Sequence, residues 1–442
     1  MFPSEDRRKR ILSLALPIIG GMISQNLLNL VDTAFVSRMG DESLAAVGQG
    51  SFANFMALAF ITGLAPGVQA MAARRKGAGD DGETAIPLNG GLLMAVGFGV
   101  PIAIGVYFAA PHLFPLLTTD SQVAVLGTGY LQIRLLAAPA AGMNFAFRGY
   151  WNAVDLSRLY LRTLIVMHVV NAVLDYALIF GELGAPEMGV DGAATASVIS
   201  TWVGTVYYFL QAGARARGAG FLRAVPALSM LRTMLRTSLP AALQQFLFAA
   251  GMTVFFAFVA RLGTAEVAAS NVLVNVMLVA ILPAIGFGLA AASLVGQALG
   301  KKQPEDARRW GWDVLRVALP LIGALAAFLG LFPDLVLGVF LHTDETLDIA
   351  RLPMRVIALT LPFDVVGMVL LNGLLGAGDS MRVLIVSVGM QWLLFLPAVF
   401  VVGPWLGLGL TAVWVANGVY RFIQSGIFVS LWRGDGWTDV KL

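Results

Sequence analysis

Cysteine is absent from this 442-residue chain, which excludes disulfides and thiolate metal sites. Histidine is nearly absent: there are three, none in an HExxH pattern, and no GxSxG elbow or phosphate-binding glycine loop stands in for them. The usual residue sets for hydrolysis, metal catalysis and nucleotide chemistry are therefore missing, and the chain is expected to be no enzyme and to carry no cofactor. Charge is also scarce, with Asp, Glu, Lys and Arg making up 12% of residues against 58% hydrophobic. That balance defines an integral membrane protein.

What is present is a series of long apolar runs. Twelve stretches approach the roughly 20 residues that cross a bilayer as a helix: 11–37, 44–73, 86–110, 127–148, 163–181, 191–212, 238–260, 267–296, 313–333, 352–376, 383–403 and 408–431. They leave no room for a soluble domain, and unbroken runs in place of alternation exclude an outer-membrane barrel. The first run is too long for a signal-peptide core and contains Asn and Gln, so it is expected to remain as the first helix.

Basic residues are distributed unevenly around these runs. With both termini inside, 23 of the 29 Lys and Arg fall on the cytoplasmic side, among them Arg7, Arg8, Lys9 and Arg10. The net charge of +3 is thus a topology signal and not a nucleic-acid patch. A bacterial inner-membrane location with both termini cytoplasmic is expected, with membrane lipids as surroundings and the chain acting as a monomer.

The chain is also a repeat. Leu16-Pro17, Arg38-Met39-Gly40, Ala45-Ala46 and Gly77 return as Leu239-Pro240, Arg261-Leu262-Gly263, Ala268-Ala269 and Gly300, an offset of about 223, and Asp155-Leu-Ser-Arg158 returns as Asp379-Ser-Met-Arg382 one residue later. Two six-helix lobes follow, residues 1–215 and 216–442. An even helix number per half gives parallel repeats, the arrangement of secondary transporters with a substrate cavity between the halves. The second lobe is expected to open with an amphipathic connector, residues 216–237, lying on the cytoplasmic leaflet. A similar short segment is expected to open at Pro304.

Few ionisable residues interrupt the spans, and each is expensive there, about 2.5–3.5 kcal/mol on insertion scales. Asp32 shares a helical face with Gln25 and Asn29 at i, i+4 and i+7, and Asp175 shares one with His168 and Asn171. Asp364 lies two residues after Pro362. By the repeat register Asp32 maps to Phe255, Asp364 to Ala141, and Asp175 near Pro397 or Ala398, so the halves are chemically unequal. Among the prolines inside spans, Pro17 is the expected hinge, because its helix also carries Asp32. His168 reads as a network residue.

Leu16-Pro17, Asn29-Leu-Val-Asp32-Thr-Ala-Phe-Val-Ser-Arg-Met-Gly40, Ala45-Ala46-Val, their second-half echo, Leu294-Val-Gly-Gln-Ala-Leu-Gly300 and Gly376-Ala-Gly-Asp379 together resemble the multidrug and toxic compound extrusion (MATE) family over nearly the whole chain. The resemblance implies an all-α protein of twelve transmembrane helices in two lobes, a cation-coupled antiporter that expels cationic, amphipathic drugs and dyes. Asp32 matches the family's first-helix acid. Asn171 and Asp175 match the fifth-helix pair that completes the N-lobe cation site of DinF-like members, and Ser197 stands where a Thr is usual. Asp364 matches a tenth-helix acid of the NorM branch, the second-lobe candidate. The seventh-helix Glu of that branch falls on Phe248, so coupling is expected in the first lobe.

Two carboxylic acids in one low-dielectric pocket are able to hold a proton between them, and the same oxygens at Asp32, Asn171 and Asp175 are able to hold Na+. The sequence leaves the coupling ion open between H+ and Na+, with a lean to H+. Gln25, Asn29, Met143, Asn144, Met277 and Met368 are the expected lining of the substrate cavity, although carboxamides also serve as interhelical hydrogen bonds worth about 0.6 kcal/mol each. The alternative function is a flippase for lipid-linked precursors, which needs a basic cavity; Arg134 and Arg421 are the main basic residues inside spans.

Overall fold

The computed structural model describes residues 2–118, 120–341, 343–440 and 442, and among them the regular structure is helical throughout. The first half comprises α1 (Glu5–Val36), α2 (Asp41–Thr62), α3 (Leu64–Ala78), α4 (Ile86–Leu117), α5 (Ser121–Leu135), α6 (Ala138–Ala153), α7 (Ser157–Phe180) and α8 (Gly189–Arg215). The second comprises α9 (Leu228–Val259), α10 (Thr264–Gly300), α11 (Pro304–Leu331), the short α12 (Pro333–Leu337), α13 (Asp344–Ala377), α14 (Ser380–Gly389), α15 (Leu396–Phe400) and α16 (Gly409–Arg433).

Helices α2 and α3 form one pass broken at Gly63, α5 and α6 one pass bent by 53°, and α14–α15 one pass that includes π-helical turns Met390–Phe395 and Val401–Trp405. Nine passes among the described residues are long and apolar enough to cross a membrane, and the bent pair is a tenth. Helices α8 and α16 complete the twelve. They are less apolar because they turn Ser200, Thr205, Asn417, Gln424 and Ser425 into the protein, where these residues are buried. The chain is thus an all-α integral membrane protein.

Two expectations for the loops need correction. The connector is not one amphipathic helix: residues 216–227 form turns, and 228–237 are already the start of α9. The reason is local. Asn89 donates to Gly220 O at 2.9 Å and Ala224 O at 3.0 Å and accepts from Leu222 N at 3.0 Å, which fixes the turns, while Met234 packs fully buried close over Gly90. Met234 thus packs into the protein, while Leu222, Val225, Leu228 and Leu235 remain exposed. Likewise Pro304 opens no separate segment but is the first residue of α11, where a missing N–H costs nothing.

The chain forms two compact units, Gly20–Ala242 and Met1–Ile19 with Leu243–Leu442. Compactness therefore divides the chain differently from the repeat, because the first turns of α1 belong with the second half and the first turns of α9 with the first half. The cuts at Gly20 and Leu243 lie 223 residues apart, the repeat offset itself. In the second unit Ile11, Leu14, Ala15 and Ile19 join the core built by α10, α11, α13 and α16. Polar contacts hold the same segment. Arg7 Nε donates to Asp313 at 2.6 Å and Nη1 to Asp306 at 2.7 Å, its guanidinium lies 3.6 Å over the Trp310 ring, and Arg10 bonds Gln297.

Small residues make both seats. A Cβ on Gly63 would come within 2.4 Å of Ser238 O and 2.7 Å of Ala242 Cβ, and one on Gly286 within 2.3 Å of Ile19 Cγ1. Gly63 with Ala242 and Gly286 with Ile19 are each other's repeat equivalents. The same close approach has been kept twice.

Candidate functional site

The first unit builds its polar site where α1 meets α7. Gly21 permits the approach, since a Cβ there would stand 2.7 Å from the Tyr160 ring and 2.9 Å from Leu164. From that point the two helices run their polar faces together. His168 Nδ1 lies 2.6 Å from Ser24 Oγ and Nε2 lies 3.2 Å from Gln25 Oε1, while Gln25 Nε2 donates to Asn29 Oδ1 at 3.2 Å. The neutral tautomer that satisfies all three has Nε2–H donating to Gln25 and Nδ1 accepting from Ser24.

One to two turns further along α7, Asn171 Nδ2 donates to Asp175 Oδ2 at 2.7 Å, and both residues are buried. Asp32, half-buried on α1, faces Asp175 within reach of a side-chain hydrogen bond. Its Oδ1 is buried and accepts no hydrogen bond. Two carboxylates bond to one another only through a shared proton or a bridging cation, because an ionised carboxylate has no donor. The guanidinium of Arg134, in the last turn of α5, acts on both acids from nearby. The site thus holds two acids and one base, a surplus of one negative charge when both acids are ionised.

Other expected residues lie elsewhere. Ser197 is half-buried on α8; its carbonyl accepts from Ser200 and Thr201, and among the described hydrogen bonds none joins its hydroxyl to the acids. Asn144 is occupied in α6–α8 packing, donating to Thr201 O at 3.2 Å and accepting from Thr205 at 2.9 Å. Met143 and Met277 are buried, and Met368 packs against the second unit's core. Asn29 is exposed. Pro17 sits inside α1 three residues before the cut between units.

In the second unit Asp364 on α13 is buried and pairs with Arg421 of α16, whose Nε is 3.2 Å from Oδ1. Arg421 also lies 5.1 Å over the Tyr420 ring, and it lines a narrow pocket with Phe248, Met277, Gln391, Phe395 and Trp414. At the repeat equivalent of Asp32 stands Phe255, 2% exposed and stacked on Phe395 at 5.7 Å. Both arginines are conspicuous in the sequence but their neighbours are not: Arg134 on α5 and Asp32 on α1 are brought near one another only by tertiary packing, and no periodicity within one helix signals such a pair.

Twelve passes, an internal repeat and paired acids inside one unit define a membrane transporter rather than an enzyme. The family model MatE matches residues 17–177 and 240–401, and the chain belongs to that family of transporters. It is similar to a probable multidrug resistance protein NorM of Thermotoga maritima, 26% identical over 95% of this chain and 92% of the relative, and to one of Synechococcus sp., 28% identical over the same shares. A MATE protein crystallised in complex with MaL6 superposes with a TM-score of 0.87 at 25% identity, covering 97% of this chain and 96% of that one.

Proposed function

We propose that the chain is a multidrug exporter of the bacterial inner membrane, both termini cytoplasmic, which expels cationic amphipathic drugs and dyes in exchange for a cation by alternating access between its two repeat-related lobes. Family membership and the multidrug resistance names of the relatives support the substrate class. The observation that carries the coupling is the facing of Asp32 and Asp175 with an orphaned carboxylate oxygen between α1 and α7. Loading a cation there removes the surplus negative charge and lowers the affinity for a cationic drug, the differential affinity that coupling requires.

The proton is the ion the geometry favours. Sodium needs convergent oxygens, whereas Asp175 already receives an N–H from Asn171 and the field of a guanidinium from Arg134. The flippase alternative needs several free basic groups converging on a pyrophosphate, and of the two arginines inside spans Arg421 is already paired with Asp364. Purified protein in proteoliposomes loaded with ethidium tests the reading. A pH gradient in Na+-free buffer is expected to drive efflux. Efflux requiring Na+ and indifferent to pH would replace the ion, and efflux under neither gradient would remove antiport altogether.

A further inference from the structure

We propose that Arg421 is a tethered cation that permanently fills the acid site of the second unit, so that each transport cycle exchanges cations at the first unit alone. The inference rests on the antiport reading above and concerns how many ions are exchanged, and where.

Charge balance separates the two units. The first gathers Asp32, Asp175 and Arg134, two acids against one base. The second has Asp364 alone against Arg421, at 3.2 Å, with side-chain exposures of 3% and 13%. A balanced pair offers an incoming cation no net attraction, and displacing the guanidinium would strand it among apolar walls. Those walls are aromatic: Phe255, Phe395 and Tyr420 stack in sequence at 5.7 and 4.9 Å beside the Arg421 pocket, and Tyr420 is the only other ionisable side chain lining it. Where the first unit has its second acid at Asp32, the repeat equivalent here is Phe255, so no second carboxylate is available to receive an ion.

Arg421 has one further, longer contact: its Nη1 lies 3.5 Å from Gln424 Oε1, and Gln424 Nε2 donates to the Tyr420 hydroxyl at 3.1 Å, all three residues on α16. Asp364 Oδ1 and Arg421 Nε form no hydrogen bond, so charge alone joins them; the tether is the covalent side chain, which keeps the guanidinium beside the acid, unlike an ion that must arrive and leave.

The test measures cations exchanged per dye exported, from the opposing pH or Na+ gradient that just stops ethidium movement in proteoliposomes, for wild type, Arg421→Gln and Asp364→Asn/Arg421→Gln. Removing the tethered charge frees Asp364, and Arg421→Gln is expected to exchange about one cation more per dye than wild type. The double variant has neither charge and is expected to return to the wild-type ratio. An unchanged ratio in folded Arg421→Gln, or a lower ratio in the folded double variant, would overturn the proposal. If Arg421→Gln does not fold, the double variant decides. Wild-type vesicles that export under neither gradient would refute antiport and this inference together; export by wild type with an unaltered ratio in the variants refutes only this inference.

Discussion

A carboxylate inside a membrane helix acquires meaning from what stands beside it, and the acids of this chain have different neighbours. Asp32 has Asp175, the bond from Asn171 and the field of Arg134; Asp364 has one guanidinium. Asp32→Asn keeps the shape and removes the charge, so it is expected to abolish gradient-driven efflux while expression and monodispersity persist. Asn171→Ala, which deletes the 2.7 Å bond to Asp175 and leaves its carboxylate short of a buried donor, is expected to slow turnover and to lower stability by about 1–3 kcal/mol. Proteoliposome efflux and thermal unfolding in detergent read the two effects separately, and wild-type turnover from Asp32→Asn would sink its coupling role. The acids themselves were legible, because a charge in an apolar run is conspicuous and the spacings of Gln25, Asn29 and Asp32 and of His168, Asn171 and Asp175 put each set on one face. The partner of Asp364 was not. Asp364 and Arg421 are distant in sequence and on different helices, so only packing pairs them.

Among the helices the legible features were the spans and the prolines able to bend them, and the hidden one was which of those prolines stands beside a break. Apolar runs located the passes, while the second pass breaks at Gly63, three residues before Pro66, and the fourth bends by 53° ahead of Pro139, each break beside a proline that lacks a backbone donor. The connector misled because its second half, where Leu228, Leu231 and Leu235 alternate with arginines, is the start of α9, whose buried side carries Met234 and Thr237 while Leu228 and Leu235 stay exposed. The two repeat-related glycine seats make an unequal pair under substitution. Replacing glycine by alanine inside a helix, as at Gly286, gains roughly 1 kcal/mol from propensity, a gain that does not apply in full at the break of Gly63. At Gly63 the new methyl meets the backbone oxygen of Ser238 at 2.4 Å, which cannot turn aside, while at Gly286 it meets Cγ1 of Ile19 at 2.3 Å, a side chain that is stiff at χ1 but yields more readily than backbone. Gly63→Ala is expected to destabilise by about 1–3 kcal/mol net and Gly286→Ala by less than about 1 kcal/mol. Thermal unfolding midpoints of the two variants, side by side, check the order; a lower midpoint for Gly286→Ala would contradict it.

At the scale of the whole chain, the repeat was readable from the recurrence of Leu16-Pro17 as Leu239-Pro240, but the exchange of helix ends was not, since sequence similarity says which segments are equivalent and not which body each joins. Residues up to Ile19 are bound into the second unit by Arg7, Arg10 and the Ile11–Ile19 face, while Gly20 onward, including Asp32, belongs to the first. Any cycle that moves one unit against the other therefore has to be absorbed within α1 near residue 20 and within α9 near residue 243. Pro17 supplies the means: without an N–H it leaves the carbonyl of Ser13 outside the helical ladder and weakens the helix beside the cut. Pro17→Ala restores that bond, so it is expected to raise the thermal midpoint or leave it unchanged while cutting the efflux rate several-fold at saturating dye. Loss of rate with a lowered midpoint would mean that the proline serves packing, and unaltered rate would place the flexing at Gly20-Gly21 or in α9 beside Pro240, the next residues to stiffen.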